Sequence, residues 1–246
     1  MATINSYISD IQEYFNNGQK SDDFVLSNRL IYKELKAIRS KLLKEKIDKQ
    51  NSKNISDSNY SNLYCIEMIE VTTATCPCID INICKKLMRS KYKLPKFLST
   101  ATGDFVDFVR NIDFGTKYFL TDRSTMEYSS YRQYSKYSRE YFIENGYLFI
   151  NDKNRVINMR AVFEDVIEVE KFNLLNNSCG VISEEDKKCT VYDIEFNIDN
   201  DLEKSLKDIT IQTILKHHPL TINDTTNDAK NNQAESSMGG GGQKQN

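Results

Sequence analysis

The sequence predicts an α+β protein, on three observations. Apolar residues recur at helical spacing near the amino terminus, a long middle region shifts to strand-like density, and helical spacing returns near residue 200. Together they suggest a helical core built from both ends of the chain, with an inserted antiparallel β domain. The corresponding partition is 1–50 for the N-terminal helices, 51–62 for a linker, 63–172 for the β-rich domain, 173–219 for a C-terminal helical segment and 220–246 for a tail.

Ile4, Tyr7, Ile8, Ile11, Tyr14 and Phe15 share one helical face, and Asn16-Asn17-Gly18 favours a chain reversal after them. Ser21 followed by Asp22 and Asp23 reads as an N-cap with carboxylates at the positive end of the dipole, opening a helix to about Lys49. Phe24, Ile31, Leu35, Ile38 and Leu42 fall on one side of it, with Arg29, Lys33, Lys36 and Lys44 roughly opposite. The stretch from Gln50 to Asn62 is rich in Ser and Asn and lacks periodic apolar residues, so it reads as a flexible connection.

Strand character starts at Leu63–Thr73 and recurs at Phe105–Ile112, Lys117–Thr121, Glu140–Ile150 and Arg155–Phe163. Asn145-Gly146, between YFIE and YLFI, supplies the two positive-φ positions of a type I′ hairpin turn. Leu202, Leu206, Ile209 and Leu215 then return to helical spacing, with Asp199 as cap and Pro219 just past the end. From Thr221 the chain is polar, carries four consecutive glycines and has almost no core-forming residues, the composition of a segment that is disordered alone.

A formal net charge of -2 gives no global attraction to nucleic acid or anionic membrane. Charge is nonetheless unevenly placed. From Arg29 to Lys53 there are nine Lys/Arg against three Asp/Glu, whereas from Glu164 to Asp201 eleven acidic residues face three lysines. These segments could pair within the fold or between copies, or could form two unrelated solvated faces. The N-terminus MATINSYISDIQEYF lacks a basic start followed by an apolar run, so a secretory leader is not expected. No segment approaches the roughly 18–20 apolar residues that span a bilayer, so no membrane partner is expected either.

No catalytic residues are assigned and no enzyme is expected, because nucleophile-elbow, Walker, G-x-G-x-x-G and H-E-x-x-H patterns are all lacking. His217 and His218, the two histidines, suit the C-terminal end of a helix. Six cysteines in a chain of this length read as reduced thiols. Cys65, Cys76, Cys78 and Cys84 raise the possibility of zinc, but intervals of eleven, two and six residues are atypical of a structural site. Packed thiols and a redox pair are the other readings, and no metal or cofactor is assigned. Tyr118, Tyr128, Tyr131, Tyr134, Tyr137, Tyr141 and Tyr147 interleave with Arg123, Arg132, Lys136 and Arg139. Such a surface suits protein contact or stacking on single-stranded nucleic acid; a wet β surface also tolerates tyrosine.

Several segments together resemble a virion structural protein of crAss-like tailed phages. They are SDDFVLSNRLIYKELKAIRSKLLKEKID, the CPC motif with Cys84, KYKLPK at Lys91–Lys96, NGYLFI and VFEDVIEVEK. The similarity runs from about Asp22 to Phe172 and is most specific in the first block. That family is similar to the adaptor, or ring, proteins that dock beneath the portal and extend the DNA channel toward the tail. The resemblance implies a homo-oligomeric ring in the head-to-tail connector, twelve-fold by analogy with portal rings, with the helices against the portal or sister subunits. It also implies contacts with other tail or ring proteins, and passage of double-stranded DNA without sequence-specific binding during genome ejection. The expected location is the head-tail junction of the virion, with the host cytoplasm during assembly. The alternative is a nucleic-acid-binding module with a Tyr/Arg-rich β surface and a zinc-stabilised cysteine loop.

Overall fold

The computed structural model describes residues 2–15, 26–49, 55–71, 87–101, 103–128, 133–134, 138–176 and 191–217. Helix α1 spans Ile4–Phe15 and buries Ile4, Tyr7, Ile8 and Ile11 of the face its spacing predicts, whereas Tyr14 at its end is exposed and Phe15 half-buried. Helix α2 spans Asn28–Lys49 and buries Ile31, Tyr32, Leu35, Ile38, Leu43 and Ile47. Its described start is seven residues beyond Ser21, which itself lies outside the described residues with Asp22, Asp23 and Phe24. Ser27 does the capping instead: its Oγ accepts from Leu30 N–H at 3.3 Å and its carbonyl from Ile31 N–H at 3.2 Å.

A 3₁₀ turn at Asp57–Asn59 precedes strand β1, Ser61–Glu70. The described part of the expected flexible connection is therefore ordered. Ile55 and Asn59 are buried there, and Ser58 and Asn59 hydrogen-bond the Asp199 carboxylate at 2.5 and 2.7 Å. A polar composition hid this anchor because its partner lies some 140 residues away in sequence.

The remaining strands are β2 Met88–Ser90, β3 Ser99–Thr100, β4 Gly103–Asp104, β5 Val106–Asn111, β6 Lys117–Leu120, β7 Glu140–Glu144, β8 Tyr147–Ile150 and β9 Val156–Ala161. A short helix α3, Arg123–Glu127, lies between β6 and β7. Seven strands close into a barrel in the order β1-β2-β8-β7-β6-β5-β9, and β3-β4 form a separate small sheet. The predicted antiparallel domain is corrected at one seam, because β6 and β7 run parallel, Phe119 opposite Glu140. Parity requires this: strands alternating up and down around a closed ring of seven cannot all be antiparallel to both neighbours. The β7–β8 turn has Asn145 at φ 53° and Gly146 at φ 79°, the positive-φ pair read from the sequence.

Leu63, Ile66, Met68, Val109, Tyr118, Tyr141, Leu148, Ile150, Ile157 and Met159 belong to the barrel core, with Leu94, Phe97, Phe163, Val169 and Phe172 packed into the same cluster. The last two residues lie on helix α4, Val166–Leu175, in a segment expected to be β. Val166, Ile167 and Val169 have strand-type side chains, but Asp165 caps the helix by accepting from Ile167 N–H at 2.9 Å and burial of this face stabilises it. Helix α4 packs on β1 where that strand bulges between Leu63 and Ile66, with Cys65 at φ 55°. Asn176, just past the helix, donates to the Cys65 carbonyl at 2.6 Å and accepts from Glu67 N–H at 3.1 Å; Asn173 donates to the Asn62 carbonyl at 3.3 Å. Side chains of α4 thus take β1 backbone groups ahead of its pairing with β2, which begins at Met68.

A second buried cluster joins α1, α2 and helix α5, Asn200–His217, to Val166, Ile167 and an extended strap through Ile194, Phe196 and Ile198. The strap pairs with the chain start through Ile4 N–H to the Ile194 carbonyl at 2.9 Å and Phe196 N–H to the Ala2 carbonyl at 3.0 Å. Helix α5 buries Leu206, Thr210 and Ile214, whereas Leu215, expected inside, is exposed. The expected tail from residue 220 lies outside the described residues.

Candidate assembly surface

Two lysines of α2, Lys36 and Lys46, meet the acidic return segment inside the fold, while Arg29 and Lys33 of the basic face are exposed. Lys36 Nζ lies 2.6 Å from Asp165 Oδ2, and Tyr32 donates its hydroxyl to Asp165 Oδ1 at 2.6 Å. Lys46 Nζ lies 2.6 Å from Asp199 and 3.0 Å from Asp201. Burial alone would raise the Asp199 carboxyl, but hydrogen bonds from Lys46, Ser58 and Asn59 outweigh it and hold the pKa near about 2. Asp165 is likewise drawn down against its burial by Lys36, Tyr32 and the Ile167 amide. Asp199 stands immediately before α5 as expected, yet its carboxylate is engaged by these partners from α2 and the 3₁₀ turn.

Between Lys36 and Lys46 on α2 sits Arg39, one of the nine basic residues counted from Arg29 to Lys53, and it is fully buried. Its Nε donates to the Asn197 carbonyl at 2.7 Å and its Nη1 to the Phe163 carbonyl at 2.9 Å. Burial lowers its pKa to about 10, so it remains charged at neutral pH. One side chain thus ties α2 to the chain just after β9 and to the strap before α5. Among the described residues, this seam occupies several α2 cations that might otherwise have faced a partner.

The tyrosine cluster does not form one platform. Tyr118 and Tyr141 are in the barrel core, and burial pushes each phenol up to about 12. Tyr147 lies beneath the Arg89 guanidinium at 4.5 Å from its ring centroid, while Tyr128 and Tyr134 are exposed. Arg123 pairs with Glu144 and Arg139 with Asp152. Tyr131, Arg132, Lys136 and Tyr137 lie outside the described residues. The split follows from position: Tyr118 and Tyr141 sit at inward positions of β6 and β7, whereas Tyr128 ends α3 and Tyr134 lies in a turn.

Cys65 is buried in β1 and disulfide-bonded, its partner lying outside the described residues, so the expectation of reduced thiols fails there. Cys76, Cys78, Cys84, Cys179 and Cys189 also lie outside them, as does His218; His217 is exposed. Among the described residues, no group of three or more His, Cys, Asp or Glu is placed to hold a metal ion. No described helix is long and apolar enough to cross a membrane.

What the sequence reading missed is an apolar exterior on the barrel. Val109 and Tyr118 pair in register and point into the core, so Phe108 and Phe119, the adjoining cross-strand positions, face outward. Phe119 is 58% exposed and Leu120 66%; Ile112 and Phe114, in the β5–β6 turn, are also exposed. The Phe114 ring meets Phe108 edge-on with centroids 6.3 Å apart. A signal was present in FVDFVRNIDF: phenylalanine and valine occupy both parities of the strand, which a barrel with one wet face does not require. A second exposed apolar group, Tyr64, Leu174 and Leu175, lies at β1 and the end of α4.

Residues 6–234 match the model of the family described as phage tail ring protein 2, of the crAss-like ring type. That span is wider than the Asp22–Phe172 similarity read from the motifs. A search of curated proteins finds no match.

Proposed function

Because the chain belongs to the phage tail ring protein 2 family, we propose that it is a non-enzymatic virion structural protein, one subunit of a ring in the head-to-tail connector beneath the portal. The observation that carries this reading is the family match over nearly the whole chain. In this reading the ring has twelve copies, matches the portal above and other tail or ring proteins below, and extends the conduit for double-stranded DNA. The near-neutral net charge suits a conduit, since a strongly basic lumen would hold phosphates instead of letting the duplex slide. The helices α1, α2 and α5 serve as the framework facing the portal or sister subunits, and the barrel projects from it as an inserted domain. The chain assembles in the host cytoplasm and ends at the head-tail junction.

The rival nucleic-acid module is weakened by the burial of Tyr118 and Tyr141 and by the ion pairs of Arg123 and Arg139. Mixing the purified chain with portal protein and measuring particle mass tests the connector role. A portal-bound oligomer is expected; a chain that stays monomeric and never joins the portal contradicts it.

A further inference from the structure

The two exposed apolar groups lie on opposite sides of the barrel. Around the closed sheet, β6 is reached from β1 through β9 and β5, and from β2 through β8 and β7. Helix α4 is anchored to β1 ahead of its β2 pairing, in the sector diametrically across from β6. A closed ring of identical subunits needs two different, mutually complementary surfaces on each copy, facing away from one another. Resting on the ring reading above, we propose that the β5–β6 exterior of one subunit, centred on Phe114 and Phe119, docks on Leu174, Leu175 and Tyr64 of a second copy.

Charge favours this pairing over self-association of either surface. The β5–β6 face carries Arg110 and Lys117, opposite each other in register, with Asp113 in the turn. Arg110 stands 4.8 Å over the Phe108 ring, and its Nε is buried without a hydrogen-bond partner among the described residues. Lys117 makes no ion pair among them. The α4 face presents Glu168, Glu170 and Lys171, an acidic excess of the opposite sign. Two copies meeting through the aromatic face would set four cations against only the two Asp113 carboxylates, a net like charge, whereas head-to-tail contact sets a net positive face against a net negative one and covers both apolar groups. The exposed aromatics beside a desolvated arginine have the composition of an interface hot spot.

The test uses the full chain and native mass spectrometry across a concentration series. Phe119→Glu places a like charge against the α4 face, and Leu175→Lys does so against the β5–β6 face. Each single variant is expected to raise the concentration for assembly by about a hundredfold or more. Both sites are exposed, so thermal melts should stay within a few degrees of wild type. A one-to-one mixture of the two variants regains assembly, because their two unmodified faces meet in one contact and the new Glu–Lys pair joins the two modified faces in the next; the double variant, held by the Glu–Lys contact alone, recovers in part. Assembly by either single variant at wild-type concentration overturns the docking surface and leaves the ring reading standing. Monomeric singles whose mixture also stays monomeric overturn the head-to-tail pairing of these two faces. A wild-type chain that is monomeric both alone and with portal overturns the ring reading, and this inference with it.

Discussion

Replacing Arg39 with alanine removes a side chain that bonds α2 to two other parts of the chain at once. The guanidinium donates to two carbonyls, Asn197 at 2.7 Å and Phe163 at 2.9 Å, from a fully buried position. Hydrogen bonds from a charged group contribute about 1.5–3 kcal/mol each, and the carbonyls left behind are hard to rehydrate. Loss of the buried methylene stem adds about 0.8 kcal/mol per group. Against this stands relief from burying a guanidinium with one unpaired nitrogen, Nη2, which is worth several kcal/mol in the opposite direction. The balance is a net loss of about 3–5 kcal/mol, a large share of the roughly 5–15 kcal/mol that stabilises most folded proteins. Urea unfolding followed by circular dichroism reads it directly. Arg39→Met keeps most of the stem while relieving the charge, and should lose clearly less than alanine. An alanine variant within about 1 kcal/mol of wild type, at unchanged denaturant dependence, would refute the assignment of Arg39 as a structural tie.

Leu35 is fully buried where α2 meets the helical cluster, so Leu35→Ala should cost about 2–5 kcal/mol in the same urea assay. Gly146 has φ 79°, and a Cβ there would fall 2.6 Å from Lys93 Cε; Gly146→Ala should destabilise by about 1 kcal/mol or more, read as a lower melting temperature. Asp199 is depressed to about 2 from an ordinary carboxylate value, so the stability it contributes is fully present above about pH 4 and is lost as pH falls toward 2. Lys46→Met removes one cause of that depression, and the acid-unfolding midpoint should move to higher pH; an unchanged midpoint would show that the pair does not govern acid stability.

The parts of the fold legible in the sequence were those set by local periodicity. Helix α1 matches its predicted span, strands β5, β6, β7, β8 and β9 fall within the predicted runs, β1 starts two residues before its run, and Asn145-Gly146 forms the expected turn. What stayed hidden depends on partners distant in sequence. Ile55 to Asn59 looked like linker until Asp199 supplied their contact, and α4 was counted in the β-rich region until Asp165 capped it against an apolar cluster. Barrel closure and its parallel seam arise from strand order, which no single segment encodes. Charge segregation was legible as pattern, but only the fold shows Lys36 and Lys46 paired within the subunit. Strand density locates β5 and β6 without telling the core face from the outer one, which left Phe108, Phe114 and Phe119 without a role.

The central claim is a ring-forming subunit, and particle mass addresses it most directly. For the purified full-length chain incubated with portal protein, the account predicts a discrete portal-bound species containing a fixed multiple of the 28.5 kDa subunit, twelve on the portal analogy. A chain that remains at the mass of one subunit, alone and with portal, at all concentrations would contradict it.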